Sequence, residues 1–464
     1  MTNSLIQTLQ LIANPTNFFD HQAVKYGDTF TLRVLGVNSP PVVFFSSPQA
    51  IDDCFAIPAK KLDFKKATHV FKPLFGSDSI VFQEGKSHNR QRQLLMPPFH
   101  GVTSKTFSGA NRLKSYGDTI CRITEDVTSS WQVENIVFMQ QVMPDITLQI
   151  ILQVVFGITP GERYEKLRKL LTALLDDITK PWYSSLFFFP PLQKDLGKWS
   201  PWGNYLTRRS EIDQLIYAEI SERRTKGDNL DTDILSLLMS ARDEEGEKMT
   251  DKELRDQLVS LLLLGYETTS GVLAWLFYLI HLHPEVKNKL IEELQSLDNT
   301  TSPEIIAQQP YLNAVCCETM RLHPIALICT PRMTLDKIEV AGKKYDSGTV
   351  LVPCIYLAHR REATYQQPDK FISERFLNQK FSAFEYLPFG GGYRGCIGSA
   401  FAMYEMKLIL ATILSRFELE LTDKKPVKPM RRGITIVPSG GVSMKVKRVG
   451  SRQEGIGTEV GFLR

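Results

Sequence analysis

Between residues 389 and 398 the chain reads FGGGYRGCIG, five glycines around one arginine and one cysteine. Glycine loses more backbone freedom on ordering than any other residue, so such a run signals a sharp turn or a close approach. Three chemistries fit. Gly390, Gly392 and Gly395 have the G-x-G-x-x-G spacing of a phosphate cradle. A dinucleotide cradle needs a strand before the glycines and further strand–helix units after them. Pro388 stands where that strand would end, and the stretch after Gly398 is short for those units, although Glu418 is a passable ribose-binding acid. A tight turn with a buried free thiol is the second possibility. The third makes Cys396 a thiolate ligand of iron. It lies just before a helical pattern, where free N–H groups and the helix dipole favour an anion and lower a thiol's pKa. Arg394, two residues earlier, is placed to meet an anionic edge group of a cofactor.

Other chemistry-bearing residues lie far away in sequence. In ETMRLHP (318–324) Glu318 and Arg321 are three apart, on one face of the apolar helix PYLNAVCCETMRLH, so the charges need buried partners. FISERF (371–376) adds Arg375. LGYETT (264–269) puts Gly265, Glu267 and Thr268 in the middle of an apolar helical stretch, where an acid and hydroxyls cost stability unless they serve a purpose. KSHNRQRQLLMPPF (86–99) places His88 and Arg92 four apart on one helix face.

The elements that must carry these residues read as mainly α with a small β portion. TFTLRVLG, PVVFFSS and GTVLVPC have strand character. VMPDITLQIILQVVFG is helical and stops at Gly157; GERYEKLRKLLTALLDDI and PEVKNKLIEELQSL are further amphipathic helices. SSLFFFPPLQKDLGKW is an aromatic stretch broken by Pro190 and Pro191. A long helix runs from near Thr250 to His283, opened by a capping box of Thr250 and Glu253. Its segment Val259–Ile280 is long enough to cross a bilayer, but the acid and hydroxyls at its centre favour burial in protein instead. Another helix is expected from Ile397 to Phe417, and GITIVPSGGVSMKVK should form a hairpin across Ser439–Gly441. With no repeat or linker in sight, one domain over 1–448 and a disordered tail over 449–464 are expected.

Composition excludes several classes. The 464 residues are 43% hydrophobic and 23% charged, with a net charge of +4 and no Lys/Arg block, so no nucleic-acid partner is expected. Seven scattered cysteines form no C-x-x-C pair, which suits a reducing compartment such as the cytoplasm. The eight histidines show no zinc spacing. The N-terminus has neither a basic start nor a long apolar stretch, so no signal peptide or anchor is expected; Leu5–Ile12 could touch a membrane surface, though packing on its own protein is commoner.

FGGGYRGCIG resembles the heme-binding signature F-x-x-G-x-R-x-C-x-G of the cytochrome P-450 family at Phe389, Gly392, Arg394, Cys396 and Gly398. ETMRLHP resembles the family's E-x-x-R, and FISERF its F-x-P-E-R-F, with Ser373 in place of the proline. The resemblance implies a soluble, bacterial-type fold of one large domain. Heme b would lie between the long central helix and the helix after the cysteine loop, with Cys396 as axial thiolate, which favours O–O cleavage. Arg394, His88, Arg92 and Arg332 would hold the heme propionates. Glu318, Arg321 and Arg375 would brace the region behind the heme. Gly265 would open the helix for dioxygen, Thr268 would hydrogen-bond it, and Glu267 would relay protons. Leu264 departs from the alanine or glycine usual there and should narrow the pocket.

The implied activity is insertion of one oxygen atom from O2 into a C–H bond of a lipophilic molecule: a fatty acid, alkane, terpenoid or steroid. By family position the pocket would be lined by Phe71, Phe75, Phe82, Phe187, Leu261, Leu264, Ala326, Leu327 and Ile328. Electrons would come from a ferredoxin and its reductase, docking near Lys86, Arg90 and Lys407 on a monomer. A peroxide-using or rearranging enzyme of the same fold, or a non-enzymatic heme sensor, are the alternatives.

Overall fold

A computed structural model of the chain describes residues 4–33, 39–68, 71–99, 107–180, 183, 185–188, 190–226, 233–298, 300–423 and 425–449. Its organising element is the helix Asp251–Leu282, 32 residues long. The expected capping box forms: Thr250 Oγ1 accepts from the Glu253 N–H at 3.2 Å, and Glu253 Oε2 accepts from the Thr250 N–H at 2.8 Å. The helix ends where Pro284 starts the next one, Pro284–Gln295. Val272 to Ile280 are buried without interruption, so their unbroken hydrophobicity serves a core position. Among the described residues this is the one helix long and apolar enough to cross a membrane, and 72% of its apolar stretch is buried inside the fold.

Helices Met139–Ile150, Pro310–Leu322 and Ser399–Arg416 pack against the long helix. The first runs on into a π-helical turn, Ile151–Val155, and stops at Gly157 as the sequence predicts. Glu162–Thr179 forms the predicted amphipathic helix, with Leu167, Leu171, Leu174 and Leu175 buried. In the Ser4–Ala13 helix Ile6, Leu9 and Ile12 are exposed.

The strands are β1 (Thr29–Leu32), β2 (Val42–Phe45), β3 (Leu62–Asp63), β4 (Ile136–Phe138), β5 (Arg332–Thr334), β6 (Ile338–Val340), β7 (Lys343–Tyr345), β8 (Val350–Pro353), β9 (Phe417–Leu421), β10 (Pro429–Arg432), β11 (Thr435–Pro438) and β12 (Ser443–Val449). Five make one sheet in the order β1-β2-β8-β5-β3, in which β2 and β8 are parallel. Phe44 and Val352 face one apolar cluster with Phe18, Phe19 and Phe30; Val43, Phe45 and Leu351 face another with Ile51 and Ile355. Both faces are covered, which is why VVFF and VLV show no polar alternation. A larger cluster around the long helix draws residues from Leu74 to Val446.

One expectation fails at the C-terminal end. No hairpin forms across Ser439–Gly441: β11 pairs with the preceding β10, Arg432 opposite Thr435, while β12 joins β9 and β4. Gly440, Gly441 and Val442 have φ of +76°, +86° and +50° in succession, which carries the chain out of the plane of β11. The true partner, PMRR, lacks the apolar alternation that marks a strand. Val449 closes β12, one residue beyond the expected boundary, and the predicted disordered tail lies otherwise outside the described residues.

Because the capping box starts the central helix, Thr250→Ala should cost about 1 kcal/mol. The expected result is a lower urea midpoint with an unchanged slope.

Candidate functional site

The loop Phe389–Gly398 closes on itself before the helix Ser399–Arg416. The Cys396 N–H donates to Phe389 O at 3.0 Å and the Gly395 N–H to Gly392 O at 3.1 Å. Gly390 and Gly392 have φ of +66° and +63°, the left-handed region open to glycine. Gly391 serves a different need. A methyl group there would lie 2.4 Å from Cε2 of Phe55, whose ring covers the loop. Sequence reasoning missed Phe55, since an apolar residue on a short helix carries no signal of its partner. The Cys396 side chain is exposed, although the surrounding fold desolvates it. Burial pushes its pKa up, against the opposing pull of the Gly398 N–H and of Arg92. The lowering expected from the helix terminus is therefore outweighed by burial.

The loop is tied to the segment 80–92. Arg394 donates to Ile80 O (2.9 Å) and Gln83 O, Tyr393 to Gly85 O (3.1 Å), and Arg92 to Gly395 O (2.8 Å). His88, 2% exposed, lies 4.1 Å from the Tyr393 ring. The Arg394 guanidinium lies over Phe64 at 4.4 Å, with Arg332 6.0 Å from the same ring and 4.9 Å from Phe55. These are the four residues predicted to hold the propionates, brought together from three segments. Burial, then the charges of Arg394 and Arg92, press the His88 pKa down to about 3. Burial also lowers Arg394 to about 10, with Arg332 and Arg92 acting the same way.

Their hydrogen bonds go to backbone carbonyls, and among the described residues no carboxylate forms an ion pair with Arg92, Arg332 or Arg394. His88 Nδ1, Arg332 Nε and Arg394 Nε are buried without a partner. Gathered cations without a counter-charge are costly unless an anion joins them. Beside an accessible thiol and a glycine cradle, they fit heme b with its two carboxylates.

Behind the loop Arg321 and Glu318 are fully buried and paired through both carboxylate oxygens, at 2.7 and 2.8 Å. Arg321 also donates to the carbonyls of His359, Pro368 and Lys370. Glu318 Oε1 accepts from the Ile372 N–H at 2.9 Å and from Arg375 Nε at 3.4 Å. Ser373, in the proline position, is buried and leaves Arg375 in place. His359 was not predicted. Its Nε2 accepts from the Leu387 N–H at 3.0 Å, which carries the brace into the loop.

On the long helix the Thr268 hydroxyl donates to Leu264 O at 2.6 Å. Glu267 is 8% exposed, and burial raises its pKa. Gly265 faces the π-helical turn; a methyl group there would lie 3.4 Å from Ile151 Cδ1, the end of a flexible side chain, so packing alone does not demand the glycine. Leu264 is 36% exposed on an otherwise buried stretch. The segment above it is pinned down: the Asp78 N–H donates to Asp256, the Ile80 N–H to Gln257, and Ser260 to Ser79. Phe75, Phe82 and Phe187, with Phe71 and Leu261 at the edge, share the apolar cluster of that helix. Leu327 and Ile328 pack under the five-stranded sheet, and Ala326 is exposed. Of the expected docking cations Lys86 is exposed, whereas Lys407 is bonded to Ala307 O. Arg90 is consumed by ion pairs to Asp243 and Glu253 at 2.5 and 2.7 Å, so it is no free docking charge.

A thiol in a glycine loop, cations without an anion and a polar patch on a central apolar helix define a heme-thiolate enzyme. The family model described as Cytochrome P-450 matches residues 3–446. A protein named cytochrome P-450 135B1 of Mycobacterium tuberculosis is 31% identical over 443 residues, spanning 95% of this chain and 89% of that protein. Cytochrome P-450 135A1 of the same organism is 32% identical over 428 residues, 91% and 88% of the two chains. Among solved structures, a retinoic-acid-bound cyanobacterial CYP120A1 has a TM-score of 0.79 at 22% identity, covering 96% of each chain. The heme domain of cytochrome P450DA gives 0.79 at 21%, covering 96% and 95%. The chain belongs to the cytochrome P-450 family. It is a heme-thiolate monooxygenase that binds heme b through a cysteine thiolate and uses O2 and a redox partner on lipophilic substrates.

Glu318→Gln should cost about 3–5 kcal/mol in chemical denaturation, because it strands a buried Arg321. Gly391→Ala should cost about 1–3 kcal/mol and lower heme retention by displacing the Phe55 ring. Adding Phe55→Ala to that variant should restore part of the retained heme, read from the heme-to-protein absorbance ratio.

Proposed function

We propose that Cys396 is the axial ligand and that Arg92, Arg332, Arg394 and His88 hold the heme carboxylates. The observation that carries this is the cluster of Arg92, Arg332, Arg394 and His88 beside the thiol, in which buried Nδ1 of His88 and Nε of Arg332 and Arg394 have no hydrogen-bond partner. Phe389, Gly392 and Gly398 shape the loop. When bound, the heme supplies the activation of dioxygen that amino-acid side chains cannot perform. The rest falls to the chain. The brace of Glu318, Arg321 and Arg375 fixes the path of the segment leading to the loop. Burial raises the pKa of Glu267, the direction that favours a proton-donating role for it. Thr268 has its one proton engaged at Leu264 O, so its lone pairs are left to accept a hydrogen bond on the pocket side.

Phe71, Phe75, Phe82, Phe187, Leu261 and Leu264 offer apolar surface that excludes water and orients a fatty acid, alkane, terpenoid or steroid. Ala326, Leu327 and Ile328 support that wall from the sheet side. Leu264 narrows the pocket at mid-helix. Electrons come from a separate ferredoxin and reductase, with Lys86 part of the docking face. The protein works as a monomer, and in the cytoplasm, a location that its seven scattered cysteines with no C-x-x-C pair suit.

The reduced protein under carbon monoxide should show a strongly red-shifted Soret band, absent in Cys396→His. A wild-type band at the position of an imidazole-ligated heme would remove Cys396 from the site. In Thr268→Ala oxygen consumption should persist while product per oxygen falls by up to about 100-fold, the lower end of what a positioned proton-transfer group contributes.

A further inference from the structure

Glu267 has a partner that its own motif does not supply. Its Oε1 accepts a hydrogen bond from Thr435 Oγ1 at 2.9 Å, at the start of β11. Thr435 is 2% exposed and Glu267 8%. The same hydroxyl lies 2.8 Å from Arg432 O across the β10–β11 turn. A hydroxyl has one proton, so it satisfies one of these acceptors at a time. An ionised Glu267 draws that proton. A protonated Glu267 has an O–H of its own, which donates to Thr435 Oγ1 while Thr435 donates to Arg432 O. Either arrangement keeps the buried acid and the threonine hydroxyl bonded to each other.

The turn also leads outward. Gly433 sits at φ +56°, and a methyl group on it would lie 3.8 Å from Glu267 Oε1. Arg432 Nη2 is 3.6 Å from Asp176 Oδ1, whose side chain is 57% exposed at the end of the Glu162–Thr179 helix. The charged and titratable groups around the acid are Arg432, Asp176, Asp145 and Tyr266, with Arg431 bonded to Gly433 O. Burial raises the pKa of Glu267, while Thr435 and Arg432 restrain the rise.

We propose that Thr435 is a positioning residue for proton delivery, its hydroxyl turning between Arg432 O and Glu267 Oε1 as the acid loses and regains its proton, with replacement protons entering from water on the Arg432–Asp176 side. The proposal rests on Glu267 being the proton donor of the monooxygenase reaction. The step balances. A proton leaves the Glu267 carboxyl for the pocket, and Thr435 turns its O–H onto the carboxylate. A hydronium ion then restores the carboxyl and leaves water.

Infrared pH-difference spectra of the heme-loaded protein read this directly through the C=O stretch of a protonated carboxyl. Glu267→Gln identifies the band. Glu405, a second buried acid with a pKa pushed to about 8, keeps its own band in that variant. Removing a donor to the carboxylate disfavours the charged form, so Thr435→Val should raise the Glu267 midpoint by about one pH unit. The band should also move to higher frequency, and Thr435→Ser should behave as wild type. Arg432→Gln should raise the midpoint too, and Thr435→Ala replaces Thr435→Val should the latter not fold. An unmoved band and midpoint in Thr435→Val or Thr435→Ala overturns the proposal, as does an equal shift in Thr435→Ser. Product per oxygen in Glu267→Gln separates the two levels. A wild-type ratio defeats the donor role of Glu267, whereas a reduced ratio with an unresponsive band defeats only the role of Thr435.

Discussion

Glu318 and Arg321 meet where no water reaches either of them. A buried ion pair gains little net stability, because desolvating both charges consumes most of what their attraction returns. It does impose a condition: every remaining donor and acceptor must be matched. Arg321 is matched by the carbonyls of His359, Pro368 and Lys370, and Glu318 by the Ile372 N–H and Arg375. The backbone that answers this demand is irregular, without a ladder to hold it. It leads through His359 and Leu387 into the cysteine loop. The pair therefore specifies a path, and the position of Cys396 is one consequence.

The opposite side of the loop is held by different physics. Aromatic faces and guanidinium groups alternate there, Phe55 and Phe64 with Arg332 and Arg394, then Tyr393 with His88. Such contacts compensate only part of the cost of burying cations. A bound anion would offset more of that cost, and its binding would then be linked to the stability of this face of the fold. His88 fits that scheme as a neutral ring, since two arginines beside it and its burial both oppose a further charge.

Much of this was legible in the sequence because the informative signals are local. The capping box, the glycine loop and the i,i+3 pair Glu318–Arg321 each state their geometry within a few residues, and the structure places them accordingly. The cluster of His88, Arg92, Arg332 and Arg394 was legible by resemblance, although nothing in their spacing says that Arg332 and Arg92 share a site. What stayed hidden was decided by distant partners. Phe55 matters because of Gly391, Thr435 because of Glu267, and His359 because of Leu387. The wrong hairpin has the same origin, since β10 is a strand by pairing and not by composition. Arg90 looked free because Asp243 and Glu253 lie about 150 or more residues away in the chain.

Glu267 and Thr268 are adjacent in sequence but answer to different parts of the molecule. Thr268 bonds back into its own helix, so its orientation is as rigid as the backbone it sits on. Glu267 bonds to a short two-stranded hairpin joined by a two-residue turn. A two-stranded ribbon has little stability of its own and depends on what it packs against. The acid is thus the adjustable member of the couple and the threonine the fixed one. That division suits a proton relay, in which one group must change its bonding at every turnover while the other keeps its place.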